Sequence, residues 1–396
     1  MKRNWKHERL EDVFVLQMGK TPARQIDRYW NNGTNKWVSI ADIGKCSTYI
    51  ENTKEQITDE AILESGIRQV PANTLIMSFK LSLGKVAITR EPLYTNEAIM
   101  AFVDRGKYQL SLSFLFHLFK NKDWSDGTNK AVMGITLNKA TMKDIVIPIP
   151  PLQEQEQIAK NLDAIYSLIS TREEQLRKLD CLASSRFVEM FGDPISNPKG
   201  WTVKTIRDVV ANQKNALKAG PFGSSLKKEF YCSSGYKIYG QEQVIGGSIE
   251  IGDYFISKEK YDELKSCAVQ AQDVLISLVG TYGKTLVIPE VFYPGIINPR
   301  LIKISFDLSV INVKYFQAFF SSEALKGFLD NQTHGCTMGV LNLGIIAALK
   351  IPVPPMSLQN EYAAFIEQLD KSKVTIRKSI EKLELLYKAL LQEYFG

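Results

Sequence analysis

IPIPPLQEQEQIAKNLDAIYSLISTREEQLRKLDCLASSRFVEMFG, residues 147–192, has a partner 204 residues later: IPVPPMSLQNEYAAFIEQLDKSKVTIRKSIEKLELLYKALLQEYFG, residues 351–396. Both stretches open with a proline cluster, which blocks a helix upstream but suits a first helical turn. Each then reaches its closing Phe-Gly without an internal proline or glycine. In the first, Ile158, Leu162, Ile165, Ile169, Leu176, Leu179, Ala183 and Met190 fall on a 4-3 spacing. In the second, Tyr362, Ile366, Leu369, Ile376, Ile380, Leu383, Tyr387, Leu390 and Tyr394 do the same. Arg172, Arg186 and Lys373 are the polar interruptions. A narrow apolar seam of period 3.5 calls for one partner helix rather than a broad core. Two seams in one register, with shared flanks, predict a coiled-coil pair.

The repeat extends outward from these helices. Ala72–Thr89 aligns without gaps on Ala271–Ile288 at a shift of 199, Phe114–Phe119 on Tyr315–Phe320, and Met133-Gly134 on Met338-Gly339. The shared parts are apolar scaffold, and the segments between them differ almost completely. The chain therefore divides into two similar mixed α/β units, 1–150 and 194–355, each followed by a helix, 151–193 and 356–396. Within the first unit, Trp37–Ile40, Thr74–Ser78 and Lys85–Arg90 read as strands, and residues 79–84 as a hairpin connection. Phe114–Phe119 is a buried helix or strand, and Gly127–Gly134 a loop. Gly19-Lys20-Thr21-Pro22 and Gly220-Pro221-Phe222-Gly223-Ser224-Ser225 are turn-rich loops near the start of each copy. Asp193-Pro194 and Asn197–Gly200 mark the junction into the second unit.

Composition bounds the class. At 396 residues, 44% hydrophobic and 23% charged, the chain has ordinary globular values and room for more than one domain. Five scattered cysteines without a CxxC pair argue against a disulfide framework or zinc ribbon, and fit a reducing compartment. With no signal-like segment and no apolar run of membrane-span length, a cytoplasmic protein is expected. The net charge is +6. Residues 1–150 carry 21 Lys/Arg against 16 Asp/Glu, and residues 194–355 carry 17 against 13. Residues 151–193 carry 5 against 8. Positive charge thus sits on the globular portions, as expected if they face a polyanion while the helices face protein.

Catalytic constellations are missing from the sequence. His7, His117 and His334 are isolated, with no ligand neighbour at helical spacing, and His117 reads as a packed residue. Gly280–Thr285 superficially suggests a phosphate loop, but the P-loop spacing puts its first glycine at Leu278, so a turn is expected. Pro150-Pro151 and Pro354-Pro355 lack the following aromatic residue of the pocket in which amino-methyltransferases hold a flipped base. No glycine-rich turn suits S-adenosylmethionine. No cofactor, metal or catalytic residue is expected on this chain.

Two variable α/β units alternating with two helices, the PPLQEQ opening, the closing Phe191-Gly192-Asp193-Pro194, Gly19–Pro22 and Gly220–Ser224 together resemble the specificity subunit of type I restriction-modification systems. The resemblance spans the whole chain; it departs at Pro355-Met356-Ser357-Leu358-Gln359-Asn360-Glu361, where the PPLQEQ pattern is degraded. It implies a non-catalytic, double-stranded-DNA-binding subunit whose two target-recognition domains each read half of a bipartite site. It also implies two partner modification subunits that bind S-adenosylmethionine and methylate adenine at N6, with restriction subunits completing an ATP-dependent nuclease.

A compatible picture follows from the helices alone. If the ends of the second unit lie together, the second helix starts where the first ends, and the pair runs antiparallel. Seam residues 158–190 then make a ruler of roughly 48 Å at 1.5 Å per residue, with two basic readers recognising half-sites across an unread gap. Candidate DNA-reading side chains are Lys20, Arg24, Arg28, Lys80 and Lys85 in the first unit, and Lys218, Ser224, Lys227, Lys228 and Lys284 in the second. Two other classes compete. An unfamiliar enzyme would show methyl transfer or cleavage by the single chain, and a structural coiled-coil scaffold that binds only protein would be indifferent to DNA sequence and salt.

Overall fold

The computed structural model describes residues 5–80, 82–124, 129–131, 134–136, 138–278, 284–333 and 341–396. The chain forms two compact units, Met1–Glu174 with Arg377–Gly396, and Gln175–Ile376. Each long helix contributes one segment to each unit.

In the first unit, a five-stranded sheet runs in the order Phe14–Met18, Ile99–Asp104, Leu75–Ser78, Val86–Thr89, Tyr49–Ile50. Leu75–Ser78 and Val86–Thr89 are buried along their whole length, so both sheet faces are covered. The pleat sorts them by period two. Leu75, Met77, Val86 and Ile88 join a core with Phe114, Phe116 and Phe119, whereas Ile76, Ala87 and Ala101 join Val38, Ile43 and Ile50 on the other side. A second sheet orders Glu55–Ile57, Asn35–Val38, Tyr94–Thr95.

The second unit repeats this plan. Its four-stranded sheet runs Leu217–Ala219, Leu301–Ile304, Val274–Ser277, Thr285–Val287, beside a sheet of Phe255–Ile256, Tyr236–Tyr239 and Gly295–Ile297. The register Val274↔Ile304 matches Leu75↔Phe102, so the two central strand pairs are equivalent residue by residue. Val274, Ile276, Ile302 and Ile304 face one core, and Leu275, Leu286 and Leu301 the other.

Each unit closes on itself before its helix leaves. Lys6–Arg9 pairs antiparallel with Val146–Ile149, and Thr202–Thr205 with Lys350–Val353, so entry and exit lie side by side in both, as expected for the second. The proline pairs then lead into helices Leu152–Phe191 and Met356–Phe395, 40 residues each. The first helix ends at Gly192, whose φ of +80° suits glycine. The Asp193 carboxylate accepts from the Ser196 and Ile195 amides, which hold its carboxyl below the ordinary carboxylate value.

Every predicted seam residue is buried or half-buried, and the helix segments are antiparallel within each unit. In the first unit, Asn161 donates to the Tyr394 hydroxyl at 2.9 Å and the Tyr166 and Tyr387 rings lie 5.9 Å apart. In the second, Tyr362 donates to Ala183 O at 3.3 Å, Arg186 pairs with Glu361 at 2.9 Å, and Lys373 pairs with Asp180 at 2.7 Å. The expectation of a single partner helix needs correcting near the helix ends. There Ile158 and Leu162 pack into the core of Phe114–Phe119, and Phe187, Met190 and Tyr362 into that of Tyr315–Phe320. The cause lies in the helices Leu112–Asn121 and Val313–Ser321, which are apolar over most of their surface and need cover on two sides.

Two local expectations also change. Trp37–Ile40 is strand only to Val38, because the Asp42 carboxylate accepts from the Ser39 amide at 2.8 Å and starts the helix Ile40–Ile43. Gly127–Gly134, read as a loop, holds the strand Asn129–Ala131, paired antiparallel with Gly134–Thr136. Met133, His334, Cys336, Met338-Gly339 and residues 280–283 of the phosphate-loop-like segment lie outside the described residues.

Candidate nucleic-acid interface

The joint between unit and helix is built twice by one side chain. Gln155, fully buried, accepts from the Ser111 amide at 2.9 Å and donates to the carbonyls of Gln109 at 3.0 Å and Pro150 at 2.8 Å. Gln359, 204 residues on and also fully buried, accepts from the Asn312 amide at 2.9 Å and donates to Val310 O at 3.0 Å and Pro354 O at 2.8 Å. The apparently degraded second motif therefore keeps the residue that performs this work. Of the positions that vary, Gln153 against Ser357 is exposed in both, while Leu152 against Met356 and Glu154 against Leu358 are half-buried.

At one end of each sheet, four segments converge. In the first unit, Gly19 N donates to Ile99 O at 3.1 Å, Lys20 N to Thr95 O at 2.9 Å, Asn96 N to Val38 O at 3.1 Å, and Phe79 N to Ala98 O at 2.9 Å. A Cβ on Gly19 would lie 2.2 Å from the Asn96 carbonyl oxygen, so the loop approaches too closely for any other residue. The second unit repeats the frame. Gly220 N donates to Leu301 O at 2.9 Å, Asn298 N to Tyr239 O at 2.8 Å, and Leu278 N to Arg300 O at 3.0 Å. A Cβ on Gly220 would meet Asn298 O at 1.8 Å. The short helix behind each loop is capped alike, Asp42 accepting from Ser39 N and Gln243 from Gly240 N at 2.7 Å.

The predicted readers are distributed unevenly over these frames. Arg24 forks onto Glu55, with Nη2 3.0 Å from Oε2, and stacks 3.9 Å from the Trp30 ring. Arg28 pairs with Glu60 at 2.7 Å and Glu64 at 3.1 Å. Both guanidinium groups thus have carboxylate partners within the free protein. Lys20 donates to the Ser65 carbonyl, and Lys80 lies 5.3 Å from the Phe79 ring on the hairpin. The Lys85 ammonium sits beside Gly44, at the C-terminus of the helix Ile40–Ile43, where helix carbonyls favour a cation. In the second unit, Lys218 is half-buried on the strand Leu217–Ala219. Ser224, Lys227 and Lys228 are exposed on the segment after Gly220, with Lys227 3.5 Å from Glu229. Phe222, on the same loop, is 88% exposed.

Lys284 stands apart from these. It lines a cleft of about 620 Å³ with Ala183, Lys314, Ala318, Asp370 and Lys373. The repeat explains the cleft. Ala318, Asp370 and Ala183 occupy the positions that His117, Tyr166 and Tyr387 fill in the first unit, where His117 is fully buried. There His117 Nε2 meets Asp163 at 2.8 Å and Nδ1 meets the Tyr387 hydroxyl at 2.6 Å, so His117 is packed and bonded as its sequence context suggested. Burial raises the Asp163 carboxyl, but hydrogen bonds from His117 and Ser113 outweigh it and hold the group below the ordinary value.

Three frame residues were not among the predicted readers: Gln241, Asn298 and Arg300. Arg300 Nη1 donates to Gln241 Oε1 at 3.3 Å, and Gln241 Nε2 donates to Ser277 Oγ at 2.8 Å. The signal for them lay in the repeat, where Ile40 and Ala98 stand at the positions of Gln241 and Arg300 in otherwise equivalent surroundings. Among the described residues, no group of three or more His, Cys, Asp or Glu is placed to hold a metal ion, and no helix is long and apolar enough to cross a membrane.

A duplicated α/β frame carrying divergent polar loops, each copy tied by the same glutamine to an antiparallel helix pair, defines a protein with two copies of one domain. The chain belongs to the type I restriction modification DNA specificity domain family, whose model matches it twice, at residues 2–179 and 198–385. It is similar to the type I restriction enzyme MjaIX specificity subunit of Methanocaldococcus jannaschii, with 25% identity over 98% of this chain and 92% of that protein. It is 26% identical, over 40% of each chain, to the EcoR124I/EcoR124II specificity subunit of Escherichia coli. The crystal structure of a type I restriction-modification S subunit from M. genitalium shares the fold, with a TM-score of 0.56 and 15% identity over 100% of this chain and 97% of that one. So does a chain from a study of complex assembly in a type I system, with a TM-score of 0.52 and 17% identity over 98% and 97%. As a type I specificity subunit, the chain is not itself the catalyst; catalysis in these systems lies on partner subunits.

Proposed function

We propose that this subunit reads a bipartite double-stranded DNA site, one half-site per α/β unit, and directs adenine-N6 methylation and ATP-dependent restriction by its partners. Two modification subunits, which bind S-adenosylmethionine, dock on it, and restriction subunits complete the complex in the cytoplasm. The observation that carries this reading is the duplicated loop frame. The backbone scaffold around Gly19 and Gly220 is the same, while the side chains it presents differ. That is the arrangement expected when a constant platform must address two unrelated base sequences. The domains 1–150 and 194–355 act as readers, and the helices 151–193 and 356–396 set the unread gap between half-sites and receive the modification subunits. Lys20, Lys80, Lys218, Ser224 and Lys228 are the best placed of the predicted contacts, because none has a carboxylate partner among the described residues.

Sequencing methylated adenines in the host genome, with this gene intact and deleted, tests the reading. A gapped motif should vanish on deletion. Exchanging residues 195–350 for the corresponding unit of a relative should change one half of that motif. A change in both halves would refute one reader per unit.

A further inference from the structure

We propose that Arg300, oriented by Gln241, is the base-edge reader of the second unit and selects a guanine in its half-site. The inference rests on the DNA-reading function proposed above and assigns it to a particular side chain. Its first support is position. Arg300 follows Asn298 and Pro299, against which Gly220 packs, and its backbone carbonyl bonds to Leu278 where the hairpin leaves the sheet. It therefore stands where the four loop segments meet.

The second support is the internal repeat. Frame-building residues have equivalents of like role in both units: Gly19 and Gly220, Asn96 and Asn298, the caps Asp42 and Gln243. Gln241 and Arg300 do not, since the first unit has Ile40 and Ala98 there. The frame forms without them, so their chemistry serves something other than folding.

The third support is what the guanidinium touches. Arg24 and Arg28 rest on glutamates, but Arg300 is exposed and forms no ion pair among the described residues. One nitrogen makes a long contact of 3.3 Å to a neutral amide oxygen, and that amide is itself anchored on Ser277. The Arg300 amide bonds to Asn298 Oδ1 at 2.9 Å, which fixes the backbone from which the side chain projects. The remaining N–H groups of the fork are available, with no carboxylate to be displaced. A planar fork of this kind matches the O6 and N7 acceptors of guanine in the major groove, and two-point contacts of this type discriminate between bases.

The test compares complexes assembled from the full-length subunit and its modification subunits, carrying wild type, Arg300→Ala or Arg300→Lys, by sequencing of methylated adenines. Alanine at this position is compatible with the frame, as Ala98 shows, and melting temperatures near wild type would establish that the variants fold. Arg300→Ala should relax one guanine position in the second unit's half-site, with discrimination falling about ten- to a hundredfold and the other half unchanged. Arg300→Lys should relax the same position, because an ammonium cannot make the paired contact. If methylation is lost altogether, binding to duplexes with and without that guanine gives the same readout, equal affinity being expected. An unaltered motif with Arg300→Ala, or full discrimination restored by lysine, would overturn the assignment and leave Arg300 as a phosphate contact at most. Failure of the underlying DNA-reading function would appear separately, as identical methylation in wild-type and gene-deleted strains.

Discussion

Replacing Gln155 by leucine removes one side chain of similar size and three hydrogen bonds. The amide of Ser111, which begins the helix Leu112–Asn121, loses its partner, and so do the carbonyls of Gln109 and Pro150. Each buried group left unsatisfied costs about 1–3 kcal/mol. The Pro150 carbonyl, in the buried contact, bears this fully and the half-buried Ser111 N–H bears part of it, while Gln109 lies near solvent and its carbonyl can recruit water. The net destabilisation should be about 2–5 kcal/mol, which for a unit of this size lowers the melting temperature by about 5–15 °C. Hydrogen exchange followed by mass spectrometry should localise the loss to the first unit, with faster exchange at the start of Leu112–Asn121 and of the long helix. Gln359→Leu should produce the same effect in the second unit, an internal replicate supplied by the repeat. Gln153→Leu, at an exposed position of the same motif, should stay within about 0.5 kcal/mol of wild type. Equal stability of Gln155→Leu and wild type would refute the claim that this glutamine fastens the unit to its helix.

Other expectations follow from the same packing. The buried pair Lys303–Asp273, 3.3 Å apart, stands where the first unit has Ala101 and Thr74. Lys303→Ala alone should cost about 3–5 kcal/mol by stranding a buried carboxylate. Asp273→Thr combined with Lys303→Ala should recover most of that in chemical denaturation, and a purely additive double mutant would contradict the pairing. Because the Asp163 carboxyl is held below its ordinary value, its stabilising contribution is present above the unfolded pKa and is lost as pH falls through the folded one. The stability difference between wild type and Asp163→Asn should therefore shrink below about pH 4, and a difference independent of pH would count against the His117–Asp163 contact. Leu176→Asp with Leu179→Asp places charge in the half-buried seam and should cost several kcal/mol, about 3–5; unchanged melting and co-purification with the modification subunit would show that the seam does not pack. Inserting seven residues in register into each long helix adds roughly 10 Å, about three base pairs, and should lengthen the unread gap in the methylated motif without altering either half.

The seam, the two-copy plan and the strand pairs Leu75–Ser78 with Val86–Thr89 were legible in the sequence, because each rests on a period that one dimension displays. Spacing of 3.5 marks a helix contact, and a shift of 199–204 residues marks duplication. His117 was legible as a packed residue for the same reason, since it sits inside an apolar run. What three dimensions decided is where polar side chains meet. Gln155 and Gln359 look like ordinary helix-surface glutamines beside Gln153, and only the approach of Ser111 and Asn312 shows that they are buried and fully bonded. Arg24 and Arg28 carry the charge expected of DNA contacts, yet the fold brings Glu55, Glu60 and Glu64 onto them from more than thirty positions away. Arg300 and Gln241, separated by 59 positions, become one unit by the same process. Apolar patterning is a local statement about which side faces water and survives in the sequence. The pairing of a charge with its partner depends on loop closure across the sheet end, and no period records it.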